Sequence, residues 1–145
     1  MEREYIPPTI DWVREHVEAY EGSGGKEYTT LRETGLPCII VYNIGRKTGA
    51  LRKTPLMTVK AGGGYVLIGS YGGAPKDPSW VGNIRAQPDV EIRDGEEVMK
   101  MRVREVTEDP ERQMLWDAAV AAYPKYAPYQ EKTDRLIPVF IAEPI

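Results

Sequence analysis

The sequence predicts an α+β domain in which about six mostly antiparallel strands curl toward a barrel, with three to four helices around them. Six apolar segments of strand length follow one another, and most are joined by short Gly-containing turns, a spacing typical of hairpins. Segments with apolar residues at helical spacing stand at the start, in the middle and near the end of the chain. Because a flat antiparallel sheet of this size leaves exposed edges, we expect the sheet to curl.

The first third of the chain predicts one helix and two strands. The helix covers TIDWVREHVEAYEG, with Thr9 or Asp11 as its N-cap and Gly22 at its end. LPCIIVYN is typical of a buried strand, the loop GRKTGALRK follows it, and TPLMTVK is the second strand.

The middle of the chain predicts a hairpin and a short helix. AGGG is a turn that leads into the strand YVLIGS. Asp77 is a candidate N-cap, Pro78 suits the first helical position, and Trp80 and Ile84 fall four residues apart on one face. Pro88 ends this helix.

The last third predicts a hairpin, a helix and a closing strand. DVEIR and EEVMKMRVREV flank an Asp-Gly turn, which is a strong hairpin signal. A helix over ERQMLWDAAVAAY begins after Asp109-Pro110. We expect YPKYAPYQEKTDR to be a loop and IPVFIAEP to be the last strand.

Charge is segregated along the chain. The range 34–76 has no Asp or Glu but has six cations, namely Arg46, Lys47, Arg52, Lys53, Lys60 and Lys76. Since the whole chain carries a net charge of −3, the remaining residues carry −9. The field of such a patch is screened within roughly 8 Å at physiological salt, so a partner must bring its negative charge to the loop itself.

The residue inventory excludes several common chemistries. The one cysteine, Cys38, lies in the apolar run LPCIIVY and is expected to be a buried hydrophobe, and the one histidine, His16, lies on a distant element. No metal cluster, Cys–His pair or Ser–His–Asp triad is therefore expected, and neither a P-loop nor a dinucleotide fingerprint is present. The absence of a long apolar run, a signal peptide or paired cysteines favours the reducing cytosol.

The loop GRKTG suits a compact anion better than a nucleic acid. The acidic remainder of the chain repels a long polyanion. Arg46 offers a planar fork, Lys47 a point charge and Thr48 a hydroxyl, while Gly45 and Gly49 let backbone N–H groups approach a phosphate closely. From composition alone, a solvated hairpin whose charges serve solubility remains an equal alternative.

Three motifs in order resemble one family. GRKTG with its basic hairpin and TPL, then GSYGGAPKDPSWVGNIRAQPDV, then YPKYAPYQEKTDRLIPVFIAEP are similar to the deazaflavin-dependent nitroreductases, reductases that use reduced coenzyme F420. The similarity runs from about Leu36 to the C-terminus. It implies a split β-barrel like that of flavin-binding pyridoxamine-phosphate oxidases, formed by a single domain over 1–145 with a variable N-terminal helix over 1–25.

The resemblance implies a site for a deazaflavin that carries a phosphate, a lactyl group and a poly-glutamate tail. The phosphate region would be held by Arg46, Lys47, Thr48 and Gly49, with Arg52 and Lys53 near the tail. The ring and the rest of the groove would be lined by Pro55, Ser70, Tyr71, Gly72, Gly73, Lys76, Pro78, Trp80 and Asn83. A core anchor in the short helix is an equally good interpretation of Trp80.

The implied reaction is hydride transfer from reduced F420 to quinones, activated enones or lactones, or nitroaromatics. The ring is the hydride donor, so the protein must orient an acceptor and stabilise its developing negative charge. Tyr123, Tyr126, Tyr129 and Ser70 are the candidate hydroxyl donors. For the tyrosines, a rigid aromatic loop is the structural alternative. An FMN-dependent oxidoreductase of this fold, or a non-catalytic deazaflavin or flavin carrier, is the alternative function.

Partners beyond a small planar acceptor are weakly indicated. The first helix carries Trp12 beside Ile10 and Val13, so weak contact with the inner face of the cell membrane is one expectation for an otherwise cytoplasmic protein. Its acidic residues oppose strong attachment to anionic lipid. The oligomeric state stays open.

Overall fold

The computed structural model describes residues 3–31 and 34–145, which form one curled antiparallel sheet with helices around it. Seven strands in the order β2-β1-β5-β6-β7-β4-β3 make this sheet, and every neighbouring pair is antiparallel. The strands are β1 (Cys38–Ile44), β2 (Leu51–Met57), β3 (Lys60–Ala61), β4 (Gly64–Ile68), β5 (Asp89–Asp94), β6 (Glu97–Glu105) and β7 (Val139–Pro144).

The predicted α+β class and hairpin connections are confirmed, and the strand count is seven instead of six. The segment TPLMTVK, predicted as one strand, ends as β2 at Met57, and β3 begins at Lys60. Only Thr58 and Val59 separate these two strands, although they are the two edges of the sheet. A two-residue link between opposite edges forces the sheet to curl into a half-barrel.

Hydrogen bonds outside the strand ladders also stabilise the curled sheet. The Val66 N–H donates to the Val59 carbonyl at 2.8 Å. The Tyr65 hydroxyl on β4 donates to the Asp94 carboxylate at the end of β5, at 2.5 Å, although β4 and β5 are not neighbours in the sheet. This hydrogen bond therefore connects two strands of the half-barrel that are not paired with each other.

Strands β1, β4 and β7 are buried on both faces over most of their length, which explains their continuous apolar runs. Their side chains alternate between the barrel interior and the outer layer of helices. On β7, Phe140 and Ala142 point inward, while Val139 and Ile141 pack beneath the C-terminal helices. On β1, Ile39 and Val41 join the interior, while Cys38 and Ile40 pack on the first helix.

Over the residues that the structure describes, four helices and one 3-10 turn cover this sheet. They are α1 (Asp11–Gly22), α2 (Ser79–Ala86), α3 (Glu111–Ala122) and α4 (Tyr126–Glu131), with the 3-10 turn over Tyr71–Gly73. None of the helices in the described part of the chain combines the length and the apolar composition of a membrane span.

Three local predictions were wrong. The N-cap of α1 is Ile10, without a side-chain hydrogen bond, so neither Thr9 nor Asp11 caps it. Helix α2 begins at Ser79 with Pro78 as its N-cap, because the Asp77 carboxylate bonds arginines instead. The segment YPKYAPYQEKTDR, predicted as a loop, contains α4, whose Pro128 lies in the first turn, where a helix needs no N–H donor.

Helix α1 is fixed to the sheet by a partly buried ion pair. The Lys53 ammonium on β2 lies 2.8 Å from the Glu21 carboxylate, with side chains 17% and 25% exposed. The Tyr42 hydroxyl donates to the other Glu21 oxygen at 2.8 Å. Residues before α1 add to the β2 edge, where the Leu51 N–H donates to the Glu4 carbonyl.

Candidate active site

An apolar groove of about 560 Å³ lies between α1, β2, the 3-10 turn and α4. It collects predicted site residues that are far apart in sequence. Those that line it are Pro55, Ser70, Tyr71, Gly72, Pro78, Trp80, Tyr123, Tyr126 and Tyr129. Trp12 and Val13 of α1 also line the groove, so the helix expected to vary contributes one wall.

Beyond Tyr71 and Pro78 the groove continues into a basic cavity of about 400 Å³. Arg46, Lys76 and Arg85 line this basic cavity together with Gly82 at the back. Tyr71 stands at the boundary of the two spaces with a positive φ of 48° and a largely exposed ring. Such strain in a residue other than glycine is characteristic of ligand sites.

Most of the predicted basic patch carries uncompensated charge. Within residues 3–31 and 34–145, four of its six cations have no carboxylate partner, namely Arg46, Lys47, Arg52 and Lys76. Lys53 pairs with Glu21, and Lys60 lies 3.7 Å from Asp94 at the far end of the barrel. Of these four cations, Arg46 and Lys76 line the basic cavity.

Asn83, one of the predicted cofactor residues, positions Arg46 together with Asn43 and Gly82, which the sequence analysis did not single out. The Arg46 N–H donates to the Asn83 amide oxygen at 3.0 Å, and Asn83 in turn donates to Asn43 at 2.9 Å. The guanidinium lies across Gly82 and donates to the Ser79 carbonyl at 3.2 Å; a Cβ on Gly82 would sit 2.2 Å from Arg46 Nη1. Asn83 is thus largely occupied in holding the loop, although it also borders a side cavity.

This side cavity of about 210 Å³ branches from the groove at Pro55 and Trp80. Arg52 and Lys53, which were predicted to lie near the tail, both line it, but strand alternation directs them to opposite faces of β2. The Lys53 charge is already paired with Glu21, whereas Arg52 has no acidic partner among the described residues.

The other predicted cofactor residues lie at the margins. Lys47 and Thr48 are exposed in the β1–β2 turn, where the Thr48 hydroxyl accepts from the Ala50 N–H at 3.1 Å. Gly49 completes this turn with a φ of 71°. Gly73 faces α4, because a Cβ there would lie 2.8 Å from the Tyr129 carbonyl oxygen.

Three tyrosines of α4 and the residues just before it cluster along the apolar groove. The Tyr123 and Tyr129 hydroxyls are hydrogen-bonded at 3.0 Å, and the rings of Tyr123 and Tyr126 meet edge to face at 5.0 Å. Tyr126 is only 5% exposed, and its hydroxyl has no hydrogen-bond partner among the described residues. It lines the groove as a donor without a protein acceptor.

Burial raises the pKa of two of these hydroxyls, those of Tyr123 and Tyr126. Desolvation raises the pKa of Tyr123 to about 12, assisted by its bond to Tyr129. Desolvation likewise raises the pKa of Tyr126, with Tyr123 and Tyr129 adding smaller effects. Both side chains are therefore neutral hydrogen-bond donors at physiological pH.

Arg135 holds the segment that joins the two ends of the site. Its guanidinium donates to the carbonyls of Ser70, Ala74 and Gly69 at 2.7, 2.9 and 3.1 Å, and to the Asp77 carboxylate at 2.8 Å. The side chain is 15% exposed. The segment 69–77 carries Ser70, Tyr71 and Lys76, so one arginine fixes residues from both cavities.

Comparison with known proteins identifies the family. The model of the family described as F420H(2)-dependent quinone reductase matches residues 12–144. The chain belongs to this family. An F420H(2)-dependent quinone reductase of Mycobacterium tuberculosis strain H37Rv is 32% identical over 135 residues, which cover 91% of this chain and 89% of that protein.

Solved structures agree with this assignment. One described as an F420-H2 dependent reductase is 45% identical, has a TM-score of 0.69, and covers 79% of this chain and 97% of its own. Another, described as a domain-swapped dimer, is 43% identical with a TM-score of 0.72 and covers 92% and 98%. The heme storage protein HutZ of Vibrio cholerae, 12% identical with a TM-score of 0.56, shares the fold alone.

Membership confirms the family resemblance, the reductase class and the predicted cofactor. The cofactor to compare with the site is therefore F420, and not the alternative, FMN. The residues present fit such a molecule. The apolar groove suits a planar ring, and the adjoining cations without carboxylate partners suit its anionic substituents. The individual site residues stay predictions.

The prediction for Cys38 needs one correction. The thiol is buried as expected, but His16 is near it, with 3.8 Å between Cys38 Sγ and His16 Nε2. His16 Nε2 also lies 2.8 Å from the Tyr28 carbonyl, which can only accept, so this nitrogen carries a proton and cannot take one from the thiol. Burial raises the pKa of Cys38 to about 12, which leaves no thiolate for catalysis.

Proposed function

We propose that this protein binds reduced F420 along the groove and transfers its hydride to a quinone held beneath the tyrosine cluster. The observation that carries the proposal is the division of one groove into a basic end, where Arg46 and Lys76 have no carboxylate partner among the described residues, and an apolar end with partly buried hydroxyls. An anionic cofactor and a planar neutral acceptor need these two environments side by side.

The basic cavity would hold the phosphate of the cofactor. Arg46 supplies a planar guanidinium group that already lies across Gly82. Lys76 supplies an ammonium group, a point charge on a flexible side chain. Lys47 and Arg52 add to the field from the rim. Because Asn83 and Asn43 brace the Arg46 backbone, little order is lost when the guanidinium engages its ligand.

The apolar end would orient the acceptor. When bound, the reduced deazaflavin ring supplies a hydride, so the chain itself needs no nucleophile or metal. Met57, Leu56 and Ile68 give the groove an apolar floor that accepts flat conjugated rings and excludes water. Ser70 also lines the groove and is 8% exposed.

Tyr126 is our choice for the hydroxyl that donates to the acceptor oxygen. Its unpaired donor, its burial and its raised pKa support a neutral hydrogen bond to a carbonyl oxygen on which charge develops. Tyr123 and Tyr129 already bond each other, so they orient Tyr126 through ring contacts. Enones, lactones and nitroaromatics present similar planar acceptors, and we propose that they react more slowly.

An anaerobic assay tests this function. Purified protein is mixed with reduced F420 and a short-chain naphthoquinone, and the return of the oxidised F420 absorbance is followed. We expect catalytic turnover, with none when reduced FMN replaces F420. Tight FMN binding with FMN-dependent turnover would support the FMN alternative, and F420 binding without turnover would support a carrier.

A further inference from the structure

Lys125 is the one charged residue that lines the apolar groove in the described part of the chain. It lies between Tyr123 and Tyr126, directly before α4. The other described residues that line the groove are apolar, aromatic or hydroxyl-bearing, and no Asp or Glu is among them. The groove therefore combines apolar walls with a single positive charge.

The Lys125 ammonium has neither an ion-pair partner nor a hydrogen-bond partner among the described residues. Two other lysines near the groove differ in this respect. Lys132, the residue after α4, donates to the Gly72 carbonyl at 3.3 Å, and Lys53 is paired with Glu21. The charge of Lys125 is thus available to a ligand.

The backbone of Lys125 is held in place, although its side chain is exposed. Its carbonyl accepts a hydrogen bond from the Tyr129 N–H at 3.2 Å. The rings of Tyr123 and Tyr126, on either side of it in the chain, meet edge to face at 5.0 Å. A flexible four-carbon side chain therefore extends from a fixed point on the groove, so its ammonium can reach a polar group of a molecule bound there.

This charge is separate from those that we assign to the cofactor. Arg46 and Lys76 line the basic cavity, and Lys125 is not among the described residues that line it. A planar acceptor with an anionic substituent would use both features of the apolar groove. Its rings would displace water from the apolar walls, while its charged group would pair with the ammonium and keep part of its own hydration.

We propose that Lys125 determines acceptor specificity by favouring planar acceptors that carry an anionic substituent, such as a carboxylate or a sulfonate. This inference rests on the proposed function and narrows its class of acceptor. The quinone still gains a hydride from reduced F420 and a proton from solvent and becomes a hydroquinone, and oxidised F420 remains after the loss of one proton to solvent. The substituent keeps its charge throughout, so the pairing acts on KM more than on kcat.

A matched pair of acceptors tests the inference. They are an ortho-naphthoquinone and its monosulfonate, which share a ring system and differ by one negative charge. Steady-state kcat/KM is measured for each with reduced F420, and the ratio of the sulfonate value to the neutral value is compared between variants, because the intrinsic reactivity of each quinone then cancels. We expect Lys125→Gln to lower this ratio about threefold to fivefold through a higher KM for the sulfonate, the range for a solvent-exposed ion pair.

Further variants separate the outcomes. Lys125→Arg keeps the charge and should retain most of the ratio, and rising salt should lower the wild-type ratio. Lys100→Gln, which removes an exposed lysine on β6 outside the groove and the basic cavity, should leave the ratio unchanged. Thermal unfolding checks that each variant is folded.

Two results would overturn the inference while the proposed function stands. One is a ratio that Lys125→Gln leaves at the wild-type value. The other is weaker binding of F420 by Lys125→Gln in a fluorescence titration with no change in the ratio, which would assign the charge to the cofactor. Turnover of neither quinone by the wild type would overturn the proposed function itself, and this inference with it.

Discussion

At the scale of single residues, Tyr126 and Arg46 show how the same chain prepares two unlike environments. Tyr126 is buried among aromatic rings and keeps an unused hydroxyl, whereas Arg46 lies at the surface on a braced backbone. The first arrangement favours a neutral donor in a water-poor pocket, and the second favours a charged donor that solvent and ligand can share.

Removal of the Tyr126 hydroxyl should slow the reaction without loosening the cofactor. The ring contacts survive in Tyr126→Phe, while the donor to the developing charge is lost. A dedicated oxyanion donor is worth about 10²- to 10³-fold in rate, and with Ser70 nearby we expect about tenfold. Steady-state rates with one quinone and F420 titration check both parts. Tyr28→Phe, an exposed tyrosine, is the control, and wild-type turnover by Tyr126→Phe would reduce this residue to packing.

Gly82→Ala should separate helix stability from cofactor binding. Alanine favours the helix by about 1 kcal/mol over glycine, but its Cβ occupies the position of the Arg46 guanidinium. We therefore expect thermal stability to hold or rise while F420 affinity falls about threefold to tenfold, as one charge-assisted bond is displaced. Gly22→Ala, at the end of α1 with open space around it, is the matched control. Unchanged affinity in Gly82→Ala would show that Arg46 binds from another position.

At the scale of elements, the site depends on how the segment 69–77 is held between β4 and α2. The 3-10 turn contributes Tyr71 and Gly72 to the groove, and Lys132 on the far side donates to the Gly72 carbonyl at 3.3 Å. Arg135 binds three carbonyls of the same segment. This segment is thus clamped from the chain that follows α4.

Arg135→Lys should loosen the segment 69–77 and weaken both halves of the site. Lysine keeps the charge but cannot reach three carbonyls and a carboxylate with one ammonium group. We expect faster amide hydrogen exchange across 69–77, weaker F420 binding and lower turnover. Arg104→Lys, an exposed arginine paired with Glu111 and Glu143, should change none of these. Unaltered exchange in Arg135→Lys would contradict the clamp.

The elements differ in how far the sequence could predict them. The hairpin at Asp94-Gly95 and the helix after Pro110 follow from local signals, and both form. The short helix α4 was missed because Pro124 and Pro128 are strong loop signals, whereas its burial against α3 and the 3-10 turn decides its conformation. Arg135 was missed because its partners lie 58 to 66 residues earlier in the chain.

At the scale of the whole molecule, a half-barrel brings one basic segment and one aromatic segment to the same groove. Both segments could be recognised in the sequence, as GRKTG and YPKYAPY. That they meet at one groove depends on the curl of the sheet, which brings its edge strands β2 and β3 together. No local pattern in the sequence indicates that Lys53 is neutralised by Glu21 while Arg52 is not. Long-range pairing of this kind needs the fold.

Buried tyrosines should make the molecule sensitive to alkali. Burial raises the pKa of Tyr42 and of Tyr123 to about 12, and also raises the pKa of Tyr65. An unfolded tyrosine titrates near 10, so above about pH 10 the unfolded chain binds fewer protons than the folded one. The free energy of unfolding should then fall as pH rises from about 10 toward 12. Denaturant unfolding at several pH values checks this slope, which should be smaller in Tyr123→Phe, and constant stability across the range would contradict it.

Single-turnover kinetics test most directly the claim that the two ends of the groove do separate work. Wild type, Arg46→Ala and Tyr126→Phe are loaded with reduced F420 and mixed anaerobically with a naphthoquinone, and the rate of F420 oxidation is recorded against cofactor concentration. The account predicts that saturating F420 restores the Arg46→Ala rate to near the wild-type value, while the Tyr126→Phe rate stays about tenfold lower at every concentration. A Tyr126→Phe rate that recovers with cofactor, or an Arg46→Ala rate that does not, would contradict it.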